Sequence, residues 1–226
     1  MRTTLFKKHF LFFVFLCCYT VLYSQTTNDF GTKDRVNNGL EGNIYALSPG
    51  TRMLPDFDTM SSLGTIYTKE LNIPTRSWTS GFPGVTERFE WFGIEYNASF
   101  TVKKPGRYTF TLLSDDGSKL FIDDKLVIDN DGVHGQVGKN NTIDLNGSTH
   151  KIKIQYFQGP RTQIALQLFA NADNETQQVF PGNNFELITP GSKTGITCYL
   201  LWALVIAGIL ILIAIWYRRR KKKTAA

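Results

Sequence analysis

Apolar and polar residues alternate with a period of two through much of the middle of the chain. Tyr108, Phe110 and Leu112 would lie on one side of an extended segment, and Arg107 and Thr109 would lie on the other. This spacing is typical of a β-strand with one buried face. The same alternation returns at four later places, namely Leu120 and Ile122, Leu126 and Ile128, Ile152 with Ile154 and Tyr156, and Ile164 with Leu166 and Leu168.

Turn-forming dipeptides separate these segments. They occur at Pro105-Gly106, Asp116-Gly117, Asp123-Asp124, Asp131-Gly132, Asn146-Gly147 and Gly159-Pro160. Short strands joined by frequent turns predict an all-β domain, built as an antiparallel β-sandwich or barrel. No stretch between residues 25 and 197 keeps an apolar helical period over three turns, although Asp58 to Leu71 fits one short helix.

Both ends of the chain carry apolar runs that do not alternate. A short basic start precedes the bulky run Phe10 to Val21, and the small residue Ser24 follows it. This order predicts a secretory signal peptide over residues 1–24, with an uncleaved anchor as the alternative. The uncharged segment Cys198 to Tyr217 is long enough, at ~1.5 Å per residue, to cross the ~30 Å core of a bilayer. We therefore predict a C-terminal transmembrane helix over residues 198–217.

The charge of the chain changes this picture only at its ends. The six basic residues Arg218 to Lys223 follow the predicted helix and favour a cytoplasmic tail, residues 218–226, with the domain periplasmic or extracellular. Nine of the 25 basic residues flank the two apolar runs, so the 16 that remain are outnumbered by 19 acidic residues. The net charge of +6 thus indicates a single-pass membrane protein and excludes nucleic-acid binding.

The segment between the strands and the predicted helix is polar. Asn171 to Gly195 is rich in Asn, Gln, Gly, Thr and Pro, which is the composition of an extended tether. Thr189-Pro190-Gly191 leaves two interpretations open. It fits either a flexible stalk or a sorting motif at which a surface transpeptidase removes the helix and tail.

Candidate catalytic chemistry is scarce in the middle of the chain. All three cysteines lie in the apolar end runs, which excludes a disulfide framework, a thiol nucleophile and a Cys-rich zinc site from the domain. His134 and His150 occur in a β pattern without HExxH or GxSxG motifs. His150 opens an alternating strand and is interpreted as a structural residue. We therefore expect no enzyme.

Acidic residues give a stronger signal. Ser114-Asp115-Asp116-Gly117-Ser118 places two adjacent carboxylates in a turn directly after an apolar strand. Like charges side by side repel, but a hard cation such as calcium between them makes the arrangement favourable. The alternative is an ordinary Asp-Gly turn in which the first aspartate has no role.

These residues belong to a longer pattern. LLSDDGSKLFIDDKLVIDNDGVHG, followed by LNGSTHKIKIQYFQGPRTQIALQL, resembles the core of the anthrax protective-antigen fourteen-kilodalton domain family. GNIYALSPGTRMLPDF and the segment from Leu71 to Phe110 resemble its N-terminal strands, so the likeness covers about Leu40 to Leu187. The resemblance implies a lectin-like β-sandwich over residues 40–188, after an N-terminal segment at 25–39 and before a stalk at 189–197. Family members are usually non-catalytic modules, and several bind carbohydrate through calcium.

The resemblance also implies a metal site. In the lectin members an adjacent Asp pair, joined by a cis peptide bond, holds calcium, and a second loop adds a side-chain carbonyl and backbone oxygens. Asp115 and Asp116 match the pair, while Gln158, Gly159 and Pro160 match the second loop. At the second-loop position the fungal adhesins usually carry Asn, and the Gln of this chain is one methylene longer.

A calcium ion with spare coordination positions can take two vicinal hydroxyls of a sugar, and nearby side chains can complete the contact. Arg161, Trp78 and His134 are the candidate ligand-binding residues, with Trp78 as a stacking platform. Trp91 lies in the dense apolar run Phe89 to Phe92 and is predicted to be a core residue.

Two hypotheses for function follow. The first is an exported single-pass membrane protein that presents a calcium-dependent carbohydrate-binding or adhesive module, with a glycan or a cell-envelope polysaccharide as its partner. The alternative is a non-lectin structural or scaffolding module of the cell envelope that binds a protein partner. The two differ in whether Asp115, Asp116 and Gln158 bind calcium.

Overall fold

The computed structural model of the chain describes residues 31–85 and 88–188. The predicted signal peptide (1–24), stalk (189–197), transmembrane helix (198–217) and basic tail (218–226) all lie outside the described residues. Within 31–85 and 88–188, no helix is long and apolar enough to cross a membrane.

The described part of the chain is built almost entirely of β-strands. Two single-turn 3-10 helices, Phe57–Thr59 and Trp78–Ser80, accompany them. The strands are β1 (Leu40–Ala46), β2 (Gly64–Thr68), β3 (Asn72–Ser77), β4 (Phe92–Val102), β5 (Gly106–Asp115), β6 (Ser118–Ile122), β7 (Lys125–Asn130), β8 (Val137–Leu145), β9 (Thr149–Gln158), β10 (Gln163–Ala172), β11 (Gln178–Val179) and β12 (Phe185–Ile188).

The strands form two antiparallel sheets. The larger sheet has the order β2-β1-β4-β9-β6-β7, and β12 also pairs with β4. The smaller sheet has the order β11-β10-β5-β8, and β3 also pairs with β10. Apolar residues of both sheets share one core, among them Ile94 and Ile154 from the larger sheet and Phe110 and Leu168 from the smaller. This arrangement confirms the predicted all-β antiparallel fold and is that of a β-sandwich.

Strand β5 follows the predicted alternation closely. Tyr108, Phe110 and Leu112 are buried, whereas Arg107 is exposed and Thr109 is half-buried. The inward residues contact the opposite sheet, because successive side chains of a strand point to opposite faces.

Strand β7 departs from the predicted pattern at one residue. Ile128 is buried as expected, but Leu126 is 50% exposed. The register between β6 and β7 shifts, since Leu120 faces Ile128 while the next residue, Phe121, faces Leu126. The extra residue in β7 forms a bulge, which moves Leu126 off the buried face. The prediction that Leu126 continues the buried row is therefore wrong.

The short helix expected over Asp58 to Leu71 is also wrong. A single 3-10 turn at Phe57–Thr59, capped by the Asp56 carboxylate, is the only helical part of this segment. The chain then forms β2, in which Ile66 is buried against the core. Pairing with β1 satisfies the backbone of this β-branched segment, so tertiary context overrides its weak helical pattern.

The polar segment that begins at Asn171 is not an extended tether over residues 171–188. Strand β10 runs to Ala172, and β11 and β12 add to the two sheets. Phe180, Phe185 and Leu187 are buried and pack with Phe100 and Phe110 of the core. A few large apolar side chains hold this segment in the sheets despite its polar composition. Burying each of them stabilises the fold by about 2 kcal/mol.

Candidate functional site

The Asp pair lies at one end of the sandwich, where the chain passes from one sheet to the other. Strand β5 of the smaller sheet ends at Asp115, and β6 of the larger sheet begins at Ser118. The Asp115–Asp116 peptide bond is cis. Gly117 completes the turn, and a Cβ there would lie 2.4 Å from the Phe157 ring and 2.8 Å from the Gly132 nitrogen. The close packing therefore requires glycine at this position.

Asp115 is a buried carboxylate without a partner. The residue is 1% exposed, and neither Oδ1 nor Oδ2 accepts a hydrogen bond. Burial, and secondly the adjacent charge of Asp116, raise the pKa of Asp115 to about 6. A buried carboxylate with no donor is unfavourable, so this group is suited to binding a cation.

Asp116 lies in a different environment although it is the next residue. Its Oδ1 accepts from the His134 backbone N–H at 3.2 Å, and its Oδ2 accepts from the Gly159 N–H at 2.8 Å. Burial raises the pKa of Asp116, and these two hydrogen bonds oppose the increase. Asp116 thereby joins the turn to both neighbouring loops.

Gly159 lies against the Asp116 carboxylate. A Cβ at Gly159 would lie 3.0 Å from Asp116 Oδ2, so a side chain here would press on that oxygen. The Pro160 carbonyl lies 3.5 Å from Gln158 Nε2, which is the limit of a hydrogen bond. The second loop thus adjoins the Asp pair.

Gln158 reaches the Asp pair with its amide nitrogen rather than its carbonyl. Its Nε2 lies 3.5 Å from Asp116 Oδ2 and 3.0 Å from the Gln163 carbonyl. Its Oε1 lies 2.5 Å from the Tyr156 hydroxyl, which also lies 2.8 Å from the Asp115 carbonyl. A hydroxyl has one proton, so Tyr156 can donate to only one of these two oxygens at a time.

Buried polar residues behind the turn hold it in place. Ser114 Oγ and Ser118 Oγ are 2.7 Å apart, and Asn130 Nδ2 donates to Ser114 Oγ and to the Val137 carbonyl at 3.0 Å.

The sequence did not predict Asn130 and Tyr156 as parts of the site. Asn130 lies in the quoted NDG motif, and Tyr156 occupies an alternating core position that gives no sign of its hydroxyl's role.

The loop after β7 covers the other side of the pair. His134 contributes its backbone N–H to Asp116, while its ring Nδ1 lies 2.7 Å from the Gly135 carbonyl and its Nε2 lies 2.9 Å from the Asn130 carbonyl. Both ring nitrogens face carbonyl acceptors within the same loop, and a neutral imidazole donates to only one of them at a time. The predicted ligand-binding residue His134 lies at the site, but its ring nitrogens are engaged.

Asp131 anchors this loop to a more distant part of the chain. Its Oδ1 accepts from the backbone N–H groups of Leu54 and Gly132 at 2.8 Å, and its Oδ2 accepts from Lys119 Nζ at 2.9 Å. These contacts bring residues near position 54 to the same end of the sandwich. No sequence motif linked the two segments.

Arg161 and Trp78 contact each other beside the second loop. The Arg161 guanidinium carbon lies 5.0 Å from the centroid of the half-buried Trp78 ring, which is a cation–π distance. Arg161 Nε also pairs with Glu90 Oε1 at 3.0 Å, and the Phe89 ring meets Trp78 edge-on at 6.1 Å. Arg161 therefore lies over the ring on which a sugar was predicted to stack.

The predicted core residue Trp91 is half-buried and belongs to a small second cluster. It packs with Tyr45, Leu47, Phe57 and Phe157 on the outer side of the larger sheet. This cluster packs against the turn that carries the Asp pair, because the Phe157 ring lies next to Gly117.

A site with several charged or thiolate ligands is absent from the described residues. No group of three or more His, Cys, Asp or Glu side chains in residues 31–85 and 88–188 could hold a metal ion. Any cation at the Asp pair would need neutral oxygens, from amide side chains, the backbone or a ligand, in addition to the two carboxylates.

Comparison with solved structures shows the same fold in several proteins. The PA14 domain of the antifreeze protein MpAFP matches with a TM-score of 0.53 at 18% identity, over 66% of this chain and 89% of that one. The PA14 sugar-binding domain of an RTX adhesin matches with a TM-score of 0.51 at 16% identity, over 64% and 96%. At these identities the likeness establishes the fold alone.

A third structure is an anti-sigma factor domain-containing protein. It matches with a TM-score of 0.52 at 21% identity and covers 68% of this chain. The match spans only 49% of that protein's length, so about half of it has no counterpart here. No curated protein matches the sequence.

The sequence itself matches the profile of one domain family. The match runs over residues 55–178, more than half of the chain, and includes the Asp pair, the loop after β7 and the second loop. The chain therefore belongs to the PA14 domain family.

Proposed function

We propose that this protein is a calcium-dependent carbohydrate-binding or adhesive module, exported and held by a single membrane span. The observation that carries the proposal is the Asp115 carboxylate, which is buried and has no hydrogen-bond partner. A buried polar group without a partner needs an explanation, and an ion that binds to it is one. The sugar-binding description of the RTX adhesin domain, which shares the fold, supports the choice of carbohydrate.

The residues present fit a calcium ion. Asp115 and Asp116 offer carboxylate oxygens, and the second loop offers the Gln158 side-chain carbonyl and the Gly159 backbone carbonyl. Calcium prefers such oxygen ligands, tolerates irregular geometry and would offset the repulsion between the two carboxylates. When bound, it would supply coordination positions for two hydroxyls of a sugar.

For Gln158 to act as a calcium ligand, its amide must be reversed. Tyr156 would then donate to the Asp115 carbonyl and accept from Gln158 Nε2, while Oε1 would face Asp116 Oδ2 and the Gln163 carbonyl. Three oxygens so close repel one another unless a cation lies between them. We therefore expect the Gln158 amide to reverse when calcium binds.

Calcium binding is tested by stability. If the ion binds only the folded state, the free energy of unfolding rises by ~2.7 kcal/mol at a hundredfold excess over Kd. The melting temperature of the purified full chain should therefore rise with calcium. Asp116→Asn should weaken this rise strongly, whereas Asp173→Asn, at an exposed residue after β10, should leave it unchanged.

Isothermal titration of the full chain provides the decisive result. No calcium binding up to millimolar concentrations would mean that the Asp pair is only a turn, and the scaffolding alternative would replace the lectin hypothesis. Binding of glycans on an array that is lost in chelator would support it. A glycan signal that persists in chelator would contradict the calcium dependence.

We also propose that the domain lies outside the cytoplasm and that the chain has no catalytic activity. The two apolar end segments and the basic block Arg218 to Lys223 support this topology. Protease added to intact cells or spheroplasts should digest the domain and spare a tag placed at the C-terminus. A cut tag with a protected domain would reverse the topology.

A further inference from the structure

The second loop carries a cation, Arg161. It lies two residues beyond Gly159, whose N–H binds Asp116, so it belongs to the loop that contacts the Asp pair. Its side chain is 60% exposed, and Trp78 supports it from below. An arginine in this position can meet a ligand with the N–H groups that its own contacts leave free.

Glu90 restrains that cation. Its Oε1 lies 3.0 Å from Arg161 Nε, and the Glu90 side chain is only 26% exposed. The carboxylate is more buried than the guanidinium, so Arg161 is the more exposed member of the pair. The guanidinium thus lies over Trp78, and the Glu90 carboxylate offsets its positive charge.

The Asp pair and Arg161 each need an opposite charge beside them. A calcium ion would offset the two aspartates, and Glu90 offsets Arg161. Without Glu90, the guanidinium would be free to bind a carboxylate, for which the planar fork of arginine is well suited. With Glu90, a carboxylate on the ligand would meet a like charge already paired to the arginine.

We propose that Glu90 determines specificity and restricts the site to neutral saccharides, excluding uronic acids and other anionic sugars. The inference rests on the proposed function and defines the ligand class of the same site. The Arg161 guanidinium then donates hydrogen bonds to sugar hydroxyls, and its orientation depends on Glu90. Removing the Glu90 charge should convert the site toward anionic sugars.

The test uses matched sugars that differ only at C6. Glycans ending in glucose or galactose are compared on one array with those ending in glucuronic or galacturonic acid, using the purified full chain in calcium. The wild type should prefer the neutral member of each pair. Glu90→Gln should shift the ratio toward the uronic acid about fivefold, the change expected from one partly exposed charge pair.

Two further variants separate charge from shape. Glu90→Gln combined with Arg161→Gln should return the ratio close to that of the wild type, because the free cation is gone. Glu186→Gln, at an exposed glutamate of β12, should not move it. An unchanged ratio in Glu90→Gln, or a wild type that prefers uronic acids, would overturn the role of Glu90.

The failure of this inference differs from that of the proposed function. If the wild type binds glycans in calcium and Glu90→Gln leaves the ratio unchanged, only the role of Glu90 is wrong. If the wild type binds calcium but no member of any pair, the lectin function is wrong, and the specificity assignment is overturned with it.

Discussion

At the scale of single residues, two adjacent aspartates have opposite surroundings. Asp116 accepts two backbone hydrogen bonds, whereas both oxygens of Asp115 are buried without a partner. The cis peptide bond between them accompanies this arrangement. Asp116 therefore stabilises the turn, and Asp115 is the carboxylate to which a cation or ligand would bind.

The raised pKa of Asp115 predicts a pH dependence for the calcium-free protein. The folded-state pKa of about 6 exceeds the ordinary value of 3.8, so the folded state binds more protons than the unfolded state between these values. The free energy of unfolding should therefore fall as pH rises from 4 through 6, by an amount on the order of 2 kcal/mol, and then level off. Urea denaturation in chelator measures it.

Asp115→Asn provides the check on this residue. In chelator at pH 8 the variant should unfold at higher urea concentration than the wild type. Asn has nearly the same shape as Asp, and the substitution removes the unfavourable buried charge. It should also lose part of the pH dependence. A variant less stable than the wild type under these conditions would mean that Asp115 has a partner in the calcium-free protein.

At the scale of elements, the hairpin between β6 and β7 turns on two residues with positive φ. Asp123 and Asp124 have φ values of 50° and 62°. A two-residue type I′ hairpin turn requires a positive φ at both of its central residues. Asp123 is held there by its side chain, which accepts from His150 Nδ1 at 2.7 Å and from the Lys151 N–H at 2.9 Å. Asp124 is exposed and has only a 4.0 Å contact with Lys151 Nζ.

The two positions should therefore respond oppositely to glycine. Asp124→Gly relieves an unfavourable backbone conformation and should stabilise the fold by ~0.5 kcal/mol. Asp123→Gly gains the same freedom but removes the carboxylate that faces Nδ1 of the 5% exposed His150, whose Nε2 keeps the Asn146 carbonyl at 3.1 Å. It should therefore destabilise the fold by ~1–2 kcal/mol. Thermal denaturation of both variants measures the difference. Equal effects would show that the Asp123–His150 contact contributes nothing.

At the scale of the whole molecule, the strands at the two ends of the described domain meet on the same side of β4. Strand β1 begins beside Asn97, since Glu41 pairs with it, and β12 ends with Ile188 opposite Ser99. The Asp pair lies at the end of the sandwich where β4 begins, because Phe92 pairs with Gln158. Strand β1 therefore begins, and strand β12 ends, away from the candidate site.

The last strand should be essential for stability. Phe185 is 4% exposed and packs against Phe100, Tyr108, Phe110 and Phe180. Phe185→Ala should lower the free energy of unfolding by ~3–5 kcal/mol. Glu186→Ala, one residue later on the exposed face, should change it by less than ~0.5 kcal/mol. Urea denaturation that shows equal effects would mean that β12 does not pack on the core.

The sequence by itself determined the all-β fold and the positions of β5, β6, β7, β9 and β10, and its resemblance to a known family pointed to the two loops of the candidate site. Period-two alternation and turn dipeptides are local signals, and the Asp pair and second loop lie in a continuous motif. Asp123-Asp124 also predicted a turn correctly, since few other residues tolerate positive φ.

The tertiary structure alone decided what depends on neighbours distant in sequence. The bulge exposes Leu126, and buried aromatics bring the polar segment after Asn171 into the sheets. The difference between Asp115 and Asp116 arises because only one of them meets backbone donors from two other loops. The orientation of Gln158 and the pairing of Arg161 with Glu90 likewise depend on contacts across the fold, which composition and spacing do not encode.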